Sequence, residues 1–223
     1  MKQWKKNFIR TIPVLTGYLV LGASFGIVMQ SKGFGVLWSI GMSAAVFAGS
    51  MQFVAVDLLA TAAGIITTAL TTLMVNARHL FYGVSMVDRY RDVGKAKPYL
   101  IFALTDETYS IVCADETLSN RDLLQITLLD HLYWIAGSAI GGGIGALIPW
   151  DFKGVDFALT ALFISIFTDQ WIKTKDHLPA ILGASLSAAS LLIFGADRFL
   201  IPAMLAITLA LAVLKRVRKG AEA

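Results

Sequence analysis

Six long stretches of this chain carry no charged residue, and no other feature restricts its fold as tightly. They are Thr11–Ser31, Gly33–Val56, Leu58–Ala77, Leu132–Trp150, Leu178–Ala196 and Phe199–Leu214. All but the last reach about 19 residues or more, close to the ~20 a helix needs to span a bilayer. The core helix of a soluble protein keeps a charged or polar face, and these runs have none. One such run fits a signal peptide or a buried helix, but six do not. Charged residues make up only 15% of the chain, against about 25% in soluble domains. The fold class this implies is an all-α integral membrane protein, one polytopic domain over residues 1–223.

Lys2, Lys5, Lys6 and Arg10 precede the first run, as basic residues precede a secretory signal. The run is too long for a signal core and further membrane segments follow at once, so it reads as an uncleaved first helix. The lone Cys113 excludes an internal disulfide. The net charge of +4 sits in clusters at Lys2–Arg10, Arg78–Lys97, Lys173 with Lys175, and Lys215–Lys219. Long neutral stretches separate them, without the interleaved basic and aromatic residues of a nucleic-acid surface. Basic ends beside apolar spans mark the cytoplasmic side. Both termini are therefore expected in the cytoplasm, with an even number of crossings between them.

The second half obeys that rule. A helix over about Leu123–Pro149 runs outward, Trp150–Asp156 forms an external loop, and a shorter span near Phe157–Trp171 returns to the basic loop Lys173–His177. Leu178 then leads out to Asp197–Arg198, and the last helix comes back to Lys215–Lys219. The first half does not fit. If its three runs each cross once, the basic loop Asp88–Lys97 lands outside. A re-entrant run, a broken helix or a truly external loop would each repair this. The segment Phe47-Ala-Gly-Ser-Met-Gln-Phe53 is the expected break, since Gly49 and Ser50 loosen a helix and Gln52 adds a polar side chain. Irregular backbone at membrane depth is tolerated only against protein or a water-filled cavity. The working count is about eight membrane segments, some not fully crossing.

A weak internal repeat divides the chain into halves at 11–118 and 122–215. Gly17–Gly26 resembles Gly137–Gly145, and each half later holds a Phe followed by a Gln, Phe47 with Gln52 and Phe167 with Gln170. Related halves with interrupted helices are how many secondary transporters are built. The spacings Gly22-x-x-x-Gly26 and Gly137-x-x-x-Gly141-x-x-x-Gly145 put small residues on one helix face. They serve either packing within the chain, the favoured reading, or docking of a partner subunit.

Charge at bilayer depth is costly, so polar groups within the apolar runs point to function. In Asn76-Ala-Arg-His-Leu-Phe-Tyr82, a helix from about Ile66 to Val87 would hold Arg78 and His79 at its middle, with Asn76 and His79 sharing a face. The Arg78 fork suits a carboxylate, and the His79 imidazole titrates near neutrality. The other reading ends a helix there, with both side chains reaching to the interface. In Thr105-Asp-Glu-Thr-Tyr109, either Asp106 or Glu107 receives an ammonium group or a proton, or Thr105 caps a helix and both acids occupy its first turn. Asp57 marks either a tight interfacial turn or the pathway. Asp169 with Lys173 reads as a surface pair. Asp130 and His131 are expected to open a long helix at the interface.

Gly17-Tyr18, Phe25-Gly26, Phe47–Phe53, Asn76–Tyr82 and Thr105–Thr108 together resemble the AzlC family, the large subunits of bacterial branched-chain amino acid exporters. The likeness runs in order through the first half and is looser in the second, where Asp156–Leu162 and Gln170 carry it. The resemblance implies export of valine, leucine, isoleucine or an apolar analogue across the bacterial cytoplasmic membrane. It further implies a small AzlD-type membrane subunit as partner and the proton gradient as energy source. The residues expected to carry transport are Gly49, Ser50, Gln52, Asn76, Arg78, His79, Asp106 and Glu107, with proton exchange at His79, Asp106 or Glu107. A zwitterionic apolar solute needs an anion site, a cation site and an apolar pocket. Arg78 or free N–H groups near Gly49–Ser50, the two acids, and Phe47 with Phe53 meet those needs in turn. The rivals are a passive channel and, less favoured, a membrane-embedded enzyme. His79, His131 and His177 fall on separate segments and no His-x-x-x-His or Gly-x-Ser-x-Gly signal occurs. No cofactor or metal is expected.

Overall fold

The computed structural model describes residues 2–147, 160, 164, 167, 168, 171, 172, 174–195 and 199–221. Every regular element among them is helical. They fall into two compact units, Met1–Thr160 and Ala161–Ala223. The first contains α1 (Lys2–Ser31), α2 (Val36–Ala45), α3 (Gly49–Ala60), α4 (Ile65–Val75), α5 (Ala77–Ser85), α6 (Lys97–Phe102), α7 (Asp106–Ala114) and α8 (Asn120–Leu147). Among the described residues, only α1 and α8 are long and apolar enough to cross a membrane by themselves.

These two helices form the spine of the first unit. They lie side by side and run in the same direction. Asn7 donates to Asp122 at 2.7 Å, and Thr11 Oγ1 lies 3.0 Å from Tyr133 Oη. Further along, Gly22 faces Gly137, Gly26 faces Gly141 and Gly142, and Gly145 faces Gln30. The two glycine stripes are therefore packing faces for each other. A Cβ on Gly26 would stand 2.2 Å from the Ser138 carbonyl oxygen, and one on Gly141 1.9 Å from that of Ala23. Only glycine allows this approach.

A reciprocal cap sets the start of α8. Ser119 donates to Asp122 Oδ2 from its N–H (3.0 Å) and Oγ (2.6 Å), while the Asp122 N–H reaches Ser119 Oγ at 3.3 Å. The helix thus begins before Leu123. This corrects the expectation that Asp130 and His131 open a helix at an interface. Both lie in its interior, with Asp130 0% exposed and His131 8%.

Between the two spine helices the chain makes two hairpins that enter from opposite ends. Taking the end where α1 starts as the lower one, α2 descends along α8 from Val36, beside Gly142, to Ser43, whose Oγ donates to Ser138 Oγ at 2.7 Å. The chain reverses at Val46–Ala48, where Phe47 takes a φ of 38°. Next, α3 climbs again: Gly49 lies against Trp134, Phe53 against Phe25 (5.7 Å between rings), and Asp57 pairs with Lys32 at 3.4 Å. With 10 and 12 residues, these helices rise about 15 and 18 Å. That is about half of a ~30 Å hydrocarbon core. The expected break at Phe47–Phe53 is present, at its first residues, and it turns the chain back.

Helices α4 and α5 descend in succession, interrupted at Asn76 (φ −94°, ψ 7°). The unbroken helix over Ile66–Val87, one of the two readings of this segment, is therefore not formed, and Arg78 and His79 open the second helix instead of ending the first. Below α5, Met86, Tyr90 and Val93 pack with Leu118, Leu123 and Ile126. Arg89 donates to the Leu118 carbonyl and Asn120 to that of Asp92, both at 2.8 Å. The loop Asp88–Lys97 thereby lies at the lower end, beside the basic start of α1. The second hairpin then rises as α6, turns at Ala103–Thr105 beside Tyr18, and descends as α7. Its base is tied to α1 by the Arg10–Asp115 ion pair. Hydrogen bonds from Thr117, and next the Arg10 guanidinium, hold the Asp115 carboxyl below its ordinary range. That contribution is complete above the usual carboxylate pKa and is lost only as pH falls through the lowered one.

In the second unit, α9 (Leu178–Phe194) and α10 (Leu200–Ala221) pack antiparallel, with Arg218 near the end of α10 paired to Asp176 just before α9. Gly195 closes α9 with a φ of 72°, a conformation suited to glycine. The expected span Phe157–Trp171, with Asp169 and Gln170, lies almost wholly outside the described residues, as do Lys173 and the Asp197–Arg198 turn.

Candidate functional site

The two hairpin turns meet at mid-height of the spine, and a cavity of about 320 Å³ lies between them and the α4–α5 interruption. Val46, Phe47 and Ala48 come from the first turn, Ile101, Phe102 and Leu104 from the second, and Asn76, His79 and Gly83 from the interrupted helix. The cavity continues downward past Met86 and Val87 to Tyr90 and Lys97. Its walls are mostly apolar and its polar groups few, which is the usual make-up of a small-molecule site. The Tyr90 hydroxyl is buried and has no partner among the described residues. Burial pushes its pKa up to about 12, so it stays a donor throughout the physiological range.

Phe47 is the strained point of this arrangement. A positive φ on a bulky residue costs roughly 1–3 kcal/mol and persists only where the surroundings impose it. Here the ring stacks on His131 at 4.3 Å and meets Tyr18 edge-on at 6.1 Å. His131 is itself fixed at both nitrogens. Nε2 lies 3.1 Å from the Ser43 carbonyl and Nδ1 3.0 Å from the Tyr99 hydroxyl. The carbonyl can only accept, so Nε2 carries the hydrogen and Nδ1 accepts from Tyr99. His131 thus ties α2, α6 and the Phe47 turn to α8.

The residues singled out from the sequence fall into three groups. Asn76 and His79 line the cavity, and the His79 Nδ1 lies 3.2 Å from the Asn76 carbonyl oxygen. The Arg78 backbone occupies the first turn of α5, while its side chain is outside the described residues. Asp106 and Glu107 form the first turn of α7, capped by Thr105, whose Oγ1 accepts from the Thr108 N–H at 3.3 Å. The capping reading of this segment is therefore realised, and negative charge there suits the helix dipole. Gly49, Ser50 and Gln52 are turned toward the spine. Gly49 packs against the Trp134 ring, and Ser50 is buried. Gln52 accepts from Trp134 Nε1 at 2.8 Å and donates to Ser43 Oγ at 3.2 Å. Gln52→Leu leaves the buried Trp134 N–H without its acceptor and is expected to destabilise the protein by about 1–3 kcal/mol, read as a lower melting temperature in detergent.

Sequence reasoning did not single out Phe102, which lines the cavity, and it did not place Tyr18, Asp130 or His131 in the buried surroundings of the Phe47 turn. The Ser119-x-x-Asp122 spacing was the available signal for Asp130 and His131, because it places the start of α8 ten residues before Asp130.

Residues 13–148 match the family model described as AzlC protein. A branched-chain amino acid transport protein, AzlC, of Bacillus subtilis (strain 168) is 48% identical, with 98% of this chain and 88% of the relative covered. A membrane protein of Haemophilus influenzae of unassigned function is 38% identical, covering 93% of this chain and 87% of its own. The inner membrane protein YgaZ of Escherichia coli (strain K12) is 30% identical over 70% of this chain and 68% of that protein. No solved structure matches.

Proposed function

The chain belongs to the AzlC family of membrane proteins, and from that premise we propose that it exports branched-chain amino acids across the cytoplasmic membrane in exchange for protons. The observation that carries the reading is the cavity where two opposed hairpin turns and an interrupted helix converge. Half-helices that begin at mid-membrane bring their positive dipole ends to a bound solute. Both α3 and α5 start beside the cavity, and neither has an acid in its first turn. Their N–H groups, with Arg78, take the substrate carboxylate. The acids at the start of α7 follow Leu104, which lines the cavity, and Asp106 or Glu107 takes the ammonium group. Phe47 and Phe102 border the apolar side chain.

Sidedness follows from charge. The basic start of α1 and the loop Asp88–Lys97 share the lower end, which we assign to the cytoplasm. The α2–α3 hairpin is then re-entrant from outside and α6–α7 from inside, while α1, α4–α5 and α8 cross. With a crossing near Phe157–Trp171 and those of α9 and α10, eight membrane segments give six crossings and two cytoplasmic termini. The cavity extends toward the cytoplasmic side, as loading for export requires. Halves at 11–118 and 122–215 remain our proposal, with α1 and α8 as counterparts; their parallel course fits a repeat axis along the membrane normal. An AzlD-type small subunit completes the proposed complex.

Proteoliposomes holding the chain with that subunit and loaded with labelled leucine are expected to release it faster under an imposed pH gradient, with saturation. Asn76→Leu and His79→Leu are expected to lower release by about tenfold or more, as loss of polar contacts in a buried site does, while leaving the melting temperature near that of the wild type. Release that never saturates and ignores the gradient would instead identify a channel.

A further inference from the structure

Asp130 lies midway along α8, is 0% exposed, and accepts one hydrogen bond, from Thr108 Oγ1 to Oδ2 at 2.8 Å. Its Oδ1 has no partner among the described residues. Asp122 on the same helix shows what a structural carboxylate receives here: Gln3 and Asn7 donate to one oxygen and Ser119 to the other. One donor is poor provision for a permanent buried charge. From Thr108 a row of hydroxyls leads away. Thr108 Oγ1 is 3.1 Å from Thr105 Oγ1, which is 2.8 Å from Tyr18 Oη, and Tyr18 Oη is 2.7 Å from Glu107 Oε2. Tyr18, Thr105 and Thr108 are buried, whereas Glu107 is partly exposed.

We propose that Glu107–Tyr18–Thr105–Thr108–Asp130 is a proton relay and that Asp130 is the buried carboxyl that gains and loses the transported proton. This rests on the proton-coupled reading above and adds to it a carrier and a path. The step balances without any further reactant. The Glu107 carboxyl proton passes to the Tyr18 oxygen, the Tyr18 proton to Thr105, the Thr105 proton to Thr108, and the Thr108 proton to Asp130 Oδ2. Each O–H bond broken is matched by one formed. The net change is a carboxylate at Glu107 and an acid at Asp130. Tyr18 has one hydrogen and two acceptors within reach, Thr105 and Glu107. Its two orientations are the two polarities of the row, so rotation of the hydroxyls resets the relay. Other titratable groups near Asp130 are Tyr99 from α6 and Tyr133 on α8 itself. His131 is engaged with Tyr99 and Ser43.

The test compares two activities in proteoliposomes containing the chain and its small subunit. Counterflow of labelled leucine needs no net proton movement, whereas uphill leucine movement under an imposed pH gradient does. Thr108→Val and Tyr18→Phe are expected to keep counterflow within about twofold and to lower gradient-driven movement about tenfold or more, as loss of a positioned proton donor does. Thr108→Ser, which retains the hydroxyl, is expected to restore it. Asp130→Asn is expected to lose gradient-driven movement as well and to make counterflow insensitive to pH. If Thr108→Val and Tyr18→Phe both keep the wild-type response to the gradient, the relay is wrong while proton coupling stands. A wild-type protein that transports leucine without responding to the gradient overturns the coupled reading itself. Should Thr108→Val fail to fold, the Tyr18→Phe comparison decides alone.

Discussion

Gly141→Ala is expected to abolish folding of the spine, while Gly143→Ala, two residues away, leaves it unchanged. A Cβ on Gly141 would fall 1.9 Å from the Ala23 carbonyl oxygen and 2.5 Å from the Ala23 Cα, whereas one on Gly143 meets nothing within 4 Å. The obstruction is backbone of a 30-residue helix, which cannot move aside as a side chain can. Relief requires α1 to separate from α8, and Asn7, Thr11 and Tyr18 lose their partners with it. Overpacking typically costs about 1–3 kcal/mol and occasionally more, and an obstruction by backbone belongs at the upper end, a large fraction of a protein's net stability. Gly26→Ala, with a contact of 2.2 Å to Ser138, is expected to behave as Gly141→Ala does. The readout is the yield and melting temperature of monodisperse protein in mild detergent. Equal behaviour of Gly141→Ala and Gly143→Ala would contradict the parallel α1–α8 packing.

The second large effect concerns sidedness and is all-or-none. In a Cys113→Ser background, Thr61→Cys places a thiol after α3 and Lys95→Cys places one in the basic loop. The re-entrant reading of α2–α3 puts Thr61 outside and Lys95 in the cytoplasm. Three full crossings in the first half would reverse both. A membrane-impermeant maleimide is therefore expected to label Thr61→Cys in intact cells and Lys95→Cys only in inverted vesicles. Labelling in the opposite sense at both positions would reject the hairpin and with it the cytoplasm-facing cavity.

The sequence foretold the helical class and the break beside Phe47, because uncharged length and Gly-Ser composition act locally. Whether Gly33–Val56 crosses or turns back was not readable from its composition, which is equally apolar in both cases. The misplaced basic loop was the only trace of the reversal. The helix start at Asp106 was visible for the same local reason, whereas the interruption at Asn76 lies in a segment that reads equally as a continuous helix or as a helix end. Gln52 stood out as a polar residue in an apolar run, but its partner Trp134 is 82 residues away, and no local pattern reports such a pair. Asp130 was expected at an interface, and not buried in mid-helix, because apolar runs were measured from Leu132. The Ser119–Asp122 cap, which starts the helix earlier, is built from residues that look like an ordinary loop.

The parallel glycine seam also sets an order of events during synthesis. Gly26 and Gly141 meet only after the whole of both hairpins has been made. At about 5–20 residues per second, α1 waits roughly 5–20 s in the bilayer before its partner leaves the ribosome. During that interval α2, α3, α6 and α7 have no spine against which to bury their polar turns, and lipid offers those turns no hydrogen bonds. The nascent chain is therefore most vulnerable to membrane proteases and most dependent on insertion factors in the stretch before α8 arrives. A truncation ending before Asn120 leaves it in that state permanently.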